Sequence, residues 1–379
     1  MKQNVSVDKA MIEYRKNFYN VYHRTIAPLF KKYEGERKNQ ILMLYIIIPI
    51  LIFVAFITGN NIFNEKNAYS LSGMTYIISG ILFIISIVVV LILPFYLNSR
   101  FVKKLKEECM PQILKLFGNI TWFNGVHLVD DTELDRSDLF AAYNRRSTDD
   151  SFIGNYDGVN FKICETHMER ETGSGKHRHI INIFKGVVIK FDANKIIRNK
   201  TIVATRGDMY IKPTSMWSIV CSALFLGLYI FSSLTKDNST GNIIFNAIFA
   251  VIIVVIVILL TINSRKNEEI LNEIKLEDPE FSTKYKAYSS DQVEGRYLIT
   301  PAFMERFNNI ETAFGTNKVK CSFHDNSLMF AISTNKNLFE IGNLFYSLEN
   351  PKQLEVFFNE LTSIFMLIDY FKLNEKTGL

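Results

Sequence analysis

Residues 41–59 read ILMLYIIIPILIFVAFITG, and residues 75–97 read TYIISGILFIISIVVVLILPFYL. Neither run holds a charged side chain. Two more runs of the same kind follow, at Met216–Leu234 and Ile243–Ile262. A bilayer core needs about 20 helical residues to be crossed. One Lys, Arg or Asp at a helix centre costs about 2.5–3.5 kcal/mol. Four long segments free of such residues fit membrane spans better than soluble core, and four transmembrane helices in two hairpins are expected.

The flanks give an orientation. Lys31, Lys32, Arg37 and Lys38 precede the first run, and Arg100, Lys103, Lys104 and Lys106 follow the second. Arg206 and Lys212 precede the third, and Arg265 and Lys266 follow the fourth. The connectors at 60–74 and 235–241 carry only Glu65, Lys66, Lys236 and Asp237. Basic residues are retained on the cytoplasmic side. Both termini and the central segment are therefore expected inside, in a multi-pass protein of the inner membrane. Pro49, Pro94 and Asn246 lie within the runs, but no ionisable group does, so an ion or proton path is not expected. The first run starts too far from the N-terminus, and is too long, for a cleaved signal peptide.

Outside the runs the chain reads as mixed α and β. In residues 1–40, Met11, Tyr14, Phe18, Val21, Tyr22, Ile26, Leu29 and Phe30 recur at helical spacing among basic residues. This amphipathic helix could lie on the inner leaflet or pack on the soluble domain. Val102, Leu105, Ile113, Leu116 and Phe117 mark a second amphipathic helix, with Pro111 expected to break it. Strands are expected at Phe152–Asn155 and Asn160–Glu165 around the turn Tyr156–Asp157–Gly158, at Ile180–Asp192 with Gly186 as a bulge, and at Thr201–Thr205. Past the fourth run, Ser264–Ile274 reads as helix. Val319–Phe323 and Leu328–Ile332 enclose a His324–Asp325–Asn326 turn. Thr300–Pro301 and Asn350–Pro351 start two helices, the second with an apolar stripe of Phe357, Leu361, Ile364, Phe365 and Ile368.

A sheet with one apolar face must bury it, and neither soluble half has enough helix to do so alone. The expected fold class is α+β: a membrane protein with four transmembrane helices and one cytoplasmic domain with an antiparallel sheet, split by the second hairpin. The expected boundaries are 1–40 for the N-terminal helix, 41–97 and 216–262 for the hairpins, and 98–215 and 263–379 for the two halves of the domain.

Chemistry is sparse. Cys109, Cys164, Cys221 and Cys321 show no CxxC spacing, and read as reduced thiols rather than a zinc site. Gly173–Ser174–Gly175–Lys176 lacks the earlier glycine and following Ser or Thr of a phosphate-binding loop: Arg170 and His177 stand there. Lys176, His177, Arg178 and His179 make a basic hairpin tip that could meet headgroups, with both histidines on one strand face. Asp130, Asp131, Glu133, Asp135, Asp138, Asp149 and Asp150 read as a solvated acidic face without EF-hand spacing. No catalytic set, cofactor site or metal site is expected.

One run is more distinctive: Leu276–Glu277–Asp278–Pro279–Glu280–Phe281, then Tyr288 through Arg306, YSSDQVEGRYLITPAFMER. Ser151–Gly154, Phe161–Glu165 and Phe184–Ile189 accompany it. Together they resemble the bacterial family catalogued as domain of unknown function 3137. The resemblance implies two N-terminal spans and a cytoplasmic domain. Its members usually carry Ala where Gly295 stands, and lack the 216–262 hairpin. It implies no catalytic residues. In this run Leu276, Phe281 and Tyr297 are expected as core anchors, with Asp278–Pro279 starting a short helix. Asp291, Glu294 and Arg296 could form a recognition patch. The functional expectation is a non-enzymatic sensor, scaffold or partner-binding module, meeting membrane lipids and a cytoplasmic protein partner but not nucleic acid. A lipid-handling or membrane-surface enzyme is the alternative, and a small channel or transporter a third reading.

Overall fold

The computed structural model describes residues 18, 22–64, 73–115, 117–173, 175–193, 196–207, 271–316 and 318–371. The expected hairpin at 216–262 lies outside these residues. The chain divides into two compact units. One comprises Met1–Leu128, Thr148–Glu165 and Asn335–Asp369, and the other Val129–Ser147, Thr166–Thr334 and Tyr370–Leu379.

In the first unit a π-helical turn, Tyr22–Ile26, leads directly into α1, Ala27–Phe63. Helix α2 spans Gly73–Leu114. Each is long and apolar enough to cross a membrane, and only 11% of each apolar window is buried. Two such helices are described where four were expected. Ile50, Phe53, Ile77, Ile84 and Phe95 are all more than half exposed, unlike the helix of a soluble core. The two helices pair antiparallel. Gly59 faces the Phe83 ring, Glu36 accepts from Lys104 at 2.7 Å, and Glu108 accepts from the Tyr33 hydroxyl. Pro111 does not break α2. Its missing N–H is outweighed by burial of Cys109, Met110, Ile113 and Leu114 around it.

The part of α1 before the apolar run packs on this unit. Tyr22 and Tyr33 are buried, and the Tyr22 hydroxyl donates to the carbonyls of Leu348 and Glu349. Arg37 donates to both oxygens of Glu34, at 2.6 and 2.7 Å, and to the Leu344 carbonyl at 3.0 Å. Asn98 on α2 accepts from the Leu344 amide at 2.9 Å. The 343–349 loop is thus tied to both long helices just where their apolar runs end. Helix α7, Lys352–Phe371, turns the expected apolar stripe inward: Phe357, Leu361, Ile364, Phe365 and Ile368 are buried.

The remaining helices are α3 (Asp131–Arg136), α4 (Pro279–Lys284), α5 (Gln292–Leu298) and α6 (Pro301–Phe314). The strands are β1 (Ile120–Asn124), β2 (Arg145–Tyr156), β3 (Val159–Thr172), β4 (His179–Asp192), β5 (Thr201–Thr205), β6 (Asn272–Ile274), β7 (Tyr285–Ser289), β8 (Val319–His324) and β9 (Ser327–Ser333). They form one sheet in the order β1-β2-β3-β4-β9-β8-β5-β7-β6. Strands β2 and β3 contribute residues to both units.

Strand β5 lies between β7 and β8, antiparallel to both. A strand from before residue 216 is therefore clamped by two from after residue 262. At 272–274 an edge strand replaces the expected helix, because Asn272–Ile274 pair with Ala287–Ser289. The β8–β9 hairpin turns on Asp325 and Asn326 (φ 48° and 54°), and β2–β3 on Asp157 and Gly158 (φ 47° and 81°), both tight turns with left-handed residues. Gly186 stands where the β4–β9 register begins, opposite Ser333. It permits a close approach of the two strands there. A Cβ there would sit 2.1 Å from the Ile332 carbonyl oxygen.

Phe281, Tyr285, Phe303 and Phe307 form an aromatic cluster with ring centroids 4.7–5.9 Å apart. The expected anchors divide. Phe281 is fully buried, Leu276 half-buried, and Tyr297 51% exposed. The short α5 buries only its Gly295 side, where an added Cβ would lie 2.4 Å from Ile274 Cδ1.

Candidate functional site

The acidic stretch is not uniformly a solvated face. Asp130 and Glu133 form the capping box of α3. Asp131 pairs with Arg146 at 2.8 Å, Glu133 with Lys190 at 2.7 Å, and Asp138 with Lys200. Asp135 and Asp149 are exposed. Asp150 is wholly buried, and it organises a charged cluster inside the first unit.

Three elements bring the partners together. Helix α2 carries Lys106 on the stripe that buries Leu105, Cys109 and Ile113. Its ammonium lies 2.6 Å from Asp150 Oδ2 and 2.8 Å from Glu340 Oε1. Strand β1 pairs Asn124 with Asp150, which sets Trp122 two positions along. The Trp122 indole N–H donates to Asp150 Oδ1 at 2.7 Å. Strand β3 contributes Glu165, 8% exposed, whose Oε1 accepts from the Leu338 amide at 3.2 Å. Glu165 Oε2 is buried without a hydrogen-bond partner. Nearby in sequence to Leu338, the Phe339 amide donates to Glu360 Oε2 on α7 at 2.8 Å.

Burial sets the electrostatics. It drives Asp150 up to about 6, against the pull of Lys106 and Trp122. It drives Glu165 up to about 8, with the charges of Asp150 and Asp149 adding to the rise. It raises Glu360 to about 7. Burial alone would lower Lys106, but Asp150 and Glu340 outweigh it and hold the ammonium above the usual lysine value. Lys106 is therefore a fixed cation among carboxyl groups that titrate near neutrality. Such a site can hold protons or hard cations. Asp149, Asp150 and Glu165 offer oxygens that all lie within 4.8 Å of one another.

Thiol chemistry finds no support among the described residues. Cys109, Cys164 and Cys321 are fully buried and unbridged. Burial pushes Cys109 up to about 12 and Cys321 well above the ordinary thiol value. Cys221 lies outside the described residues.

The residues singled out in the sequence fall elsewhere. Lys176 and His177 belong to a short 3-10 turn between β3 and β4, and His179 opens β4. The two histidines therefore do not share a strand face. Arg178 donates to Glu171 at 2.7 Å, and Arg145 lies 3.2 Å from the same carboxylate. Asp291 caps α5 by accepting from the amides of Val293 and Glu294, both at 2.8 Å. Glu294 accepts from the Arg198 amide at 2.9 Å and the Asn199 side chain at 2.5 Å. Arg296 is exposed. Asp291 and Glu294 thus hold α5 and the 198–199 backbone in place. Sequence reading missed Lys106, Glu165, Glu340 and Glu360. The one local signal was Lys106, which falls on the buried stripe of an amphipathic helix.

Comparison with known proteins places the chain by family alone. No curated protein and no solved structure matches it. The model of one family, described as protein of unknown function (DUF3137), matches residues 182–373, a little over half of the chain. The match takes in Phe184–Ile189 and the whole Leu276–Arg306 run, whereas Ser151–Gly154 and Phe161–Glu165 precede it. On the strength of that match, the chain belongs to the DUF3137 family.

Proposed function

We propose that the protein is a multi-pass protein of the bacterial inner membrane, acting as a non-enzymatic sensor or partner-binding module on the cytoplasmic face. The observation that carries this reading is the continuity of α2. One unbroken helix holds the exposed apolar run 75–97 and, about two and a half turns later, the buried Lys106 at the centre of the carboxyl cluster. A shift of that helix in the bilayer would be felt directly by the charged interior.

Three further features support the membrane placement. The basic flanks favour an orientation with both termini and the soluble units inside. The 343–349 loop presents Phe345 and Tyr346, 53% and 71% exposed, beside Arg37 and Asn98 at the ends of the apolar runs. Aromatic residues favour that depth. The third is read from sequence alone: two more charge-free apolar runs, at 216–234 and 243–262, carry basic flanks of the same kind.

Protease protection tests the reading. In intact spheroplasts, tags at both termini should survive external protease and be cleaved only after lysis. Cleavage of either tag from outside would overturn the orientation. Native-membrane purification should bring down a cytoplasmic protein lost on changing surface residues. Turnover by the purified protein, abolished by a single-site change, would overturn the non-enzymatic assignment.

A further inference from the structure

Glu165 raises a question that its own contacts leave open. Its carboxyl group is more than nine-tenths buried, one oxygen takes the Leu338 amide, and the other takes nothing. A buried polar atom without a partner is unfavourable, because it has given up its hydrogen bonds to water and regained none. The same group faces two more carboxylates, Asp149 and Asp150, with all three ligand oxygens inside 4.8 Å. Lys106 supplies one positive charge, and Asp150 and Glu340 already engage it.

We propose that Asp149, Asp150 and Glu165 bind a hard divalent cation, of the calcium, manganese or magnesium class. All-oxygen donors select such ions over zinc or copper. A calcium ion lies about 2.3–2.6 Å from each ligand, so oxygens up to about 5 Å apart can share it. Each oxygen of Asp150 accepts one hydrogen bond, from Trp122 and from Lys106, and keeps a lone pair for a metal. Hydrogen-bonded ligating carboxylates are the usual arrangement. Asp149 is exposed and provides the way in. Water completes the shell on that side. The cation gives Glu165 Oε2 its missing partner and offsets the excess of buried negative charge, which one lysine does not. The inference is independent of membrane placement, because all three ligands lie in the soluble part of the first unit.

Trp122 makes the site readable. Its indole touches Asp150, so terbium bound there should be sensitised by tryptophan excitation. The full-length protein in detergent is titrated with terbium alone, then competed with calcium, manganese and magnesium. The expected result is saturable emission, displaced by at least one of the three. Glu165→Gln and Asp149→Asn should each weaken binding about tenfold or more, since affinity follows the ligand charge count. Trp122→Phe should remove most of the emission while calorimetry still shows binding. Circular dichroism without metal verifies that each variant is folded. Should Glu165→Gln fail to fold, the exposed Asp149→Asn carries the test. Emission that does not saturate, or affinity unchanged in a folded ligand variant, would overturn the site and leave a proton as the neutralising species.

Discussion

Lys106 Nζ lies 2.6 Å from Asp150 Oδ2, with the two side chains 6% and 0% exposed. The pair joins a helix to a strand 44 residues further along the chain. Water does not compete for either group, so each is held by the other and by Glu340 and Trp122. Removing one member leaves a buried charge alone, which is far costlier than losing an exposed pair.

Lys106→Met should therefore destabilise the protein by about 3–5 kcal/mol. The methionine keeps most of the stem volume, so the loss is electrostatic. Adding Asp150→Asn removes the stranded charge and should recover part of the stability. Thermal unfolding of both variants in detergent tests this. Equal midpoints for the single variant and the wild type would show that the pair contributes nothing.

Glu360 gives a pH-dependent prediction. Its carboxyl is raised from 4.5 to about 7, chiefly by burial. The native state therefore favours the protonated form. The stability it confers is fully present below about pH 4.5 and is lost as the pH rises through about 7. Glu360→Gln mimics the protonated acid at every pH. Its unfolding midpoint should match the wild type near pH 4.5 and exceed it above pH 7, by on the order of 1 kcal/mol. A constant difference across this window would place the effect in packing rather than ionisation.

The contrast between these residues and the rest of the fold shows what sequence can carry. The Asp157–Gly158 and Asp325–Asn326 turns, the Thr300–Pro301 helix start and the α7 stripe were legible because their causes lie within a few residues. Asp278–Pro279 likewise starts α4, where the Asp278 side chain accepts from the Glu280 and Phe281 amides. The carboxyl cluster was not legible. Asp150 ends a run of exposed acids and looks like them, and its partners Lys106 and Glu340 lie 44 residues before it and 190 after it. Only the register of β1 on β2 and the seat of α2 bring them together. Pro111 and Tyr297 misled for the opposite reason: a local rule applied, and packing overrode it.

Gly186 should tolerate no side chain. Its φ of 151° opposes one, and so does the 2.1 Å that would separate an added Cβ from the Ile332 carbonyl oxygen. The obstacle is backbone, where the β4–β9 ladder begins opposite Ser333, and cannot rotate away. Gly186→Ala should cost about 2 kcal/mol or more and lower the unfolding midpoint by several degrees. Gly175→Ala is the control, since its φ is also positive (58°) but nothing lies within 4 Å. A larger loss at Gly175 than at Gly186 would contradict the close-approach argument.

Phe345 and Tyr346 should sit in the headgroup region if α1 and α2 cross the bilayer. Their position is fixed by hydrogen bonds rather than by burial. Asn343 Oδ1 accepts from both their amides, at 2.9 and 3.0 Å, and the flanking Leu344 is bonded to Arg37 and Asn98. Both side chains are exposed on a hydrogen-bonded loop beside Arg37 and Asn98, which flank the two apolar runs. Tyr346→Trp places an indole at that point with little change in shape. In proteoliposomes its emission should shift to the blue relative to detergent, and lipids brominated near the headgroup should quench it more strongly than lipids brominated near the chain end. The native Trp122 and Trp217 are measured in the unsubstituted protein and subtracted. Quenching equal at both depths, or none, would place the loop away from the bilayer and remove one support for the membrane reading.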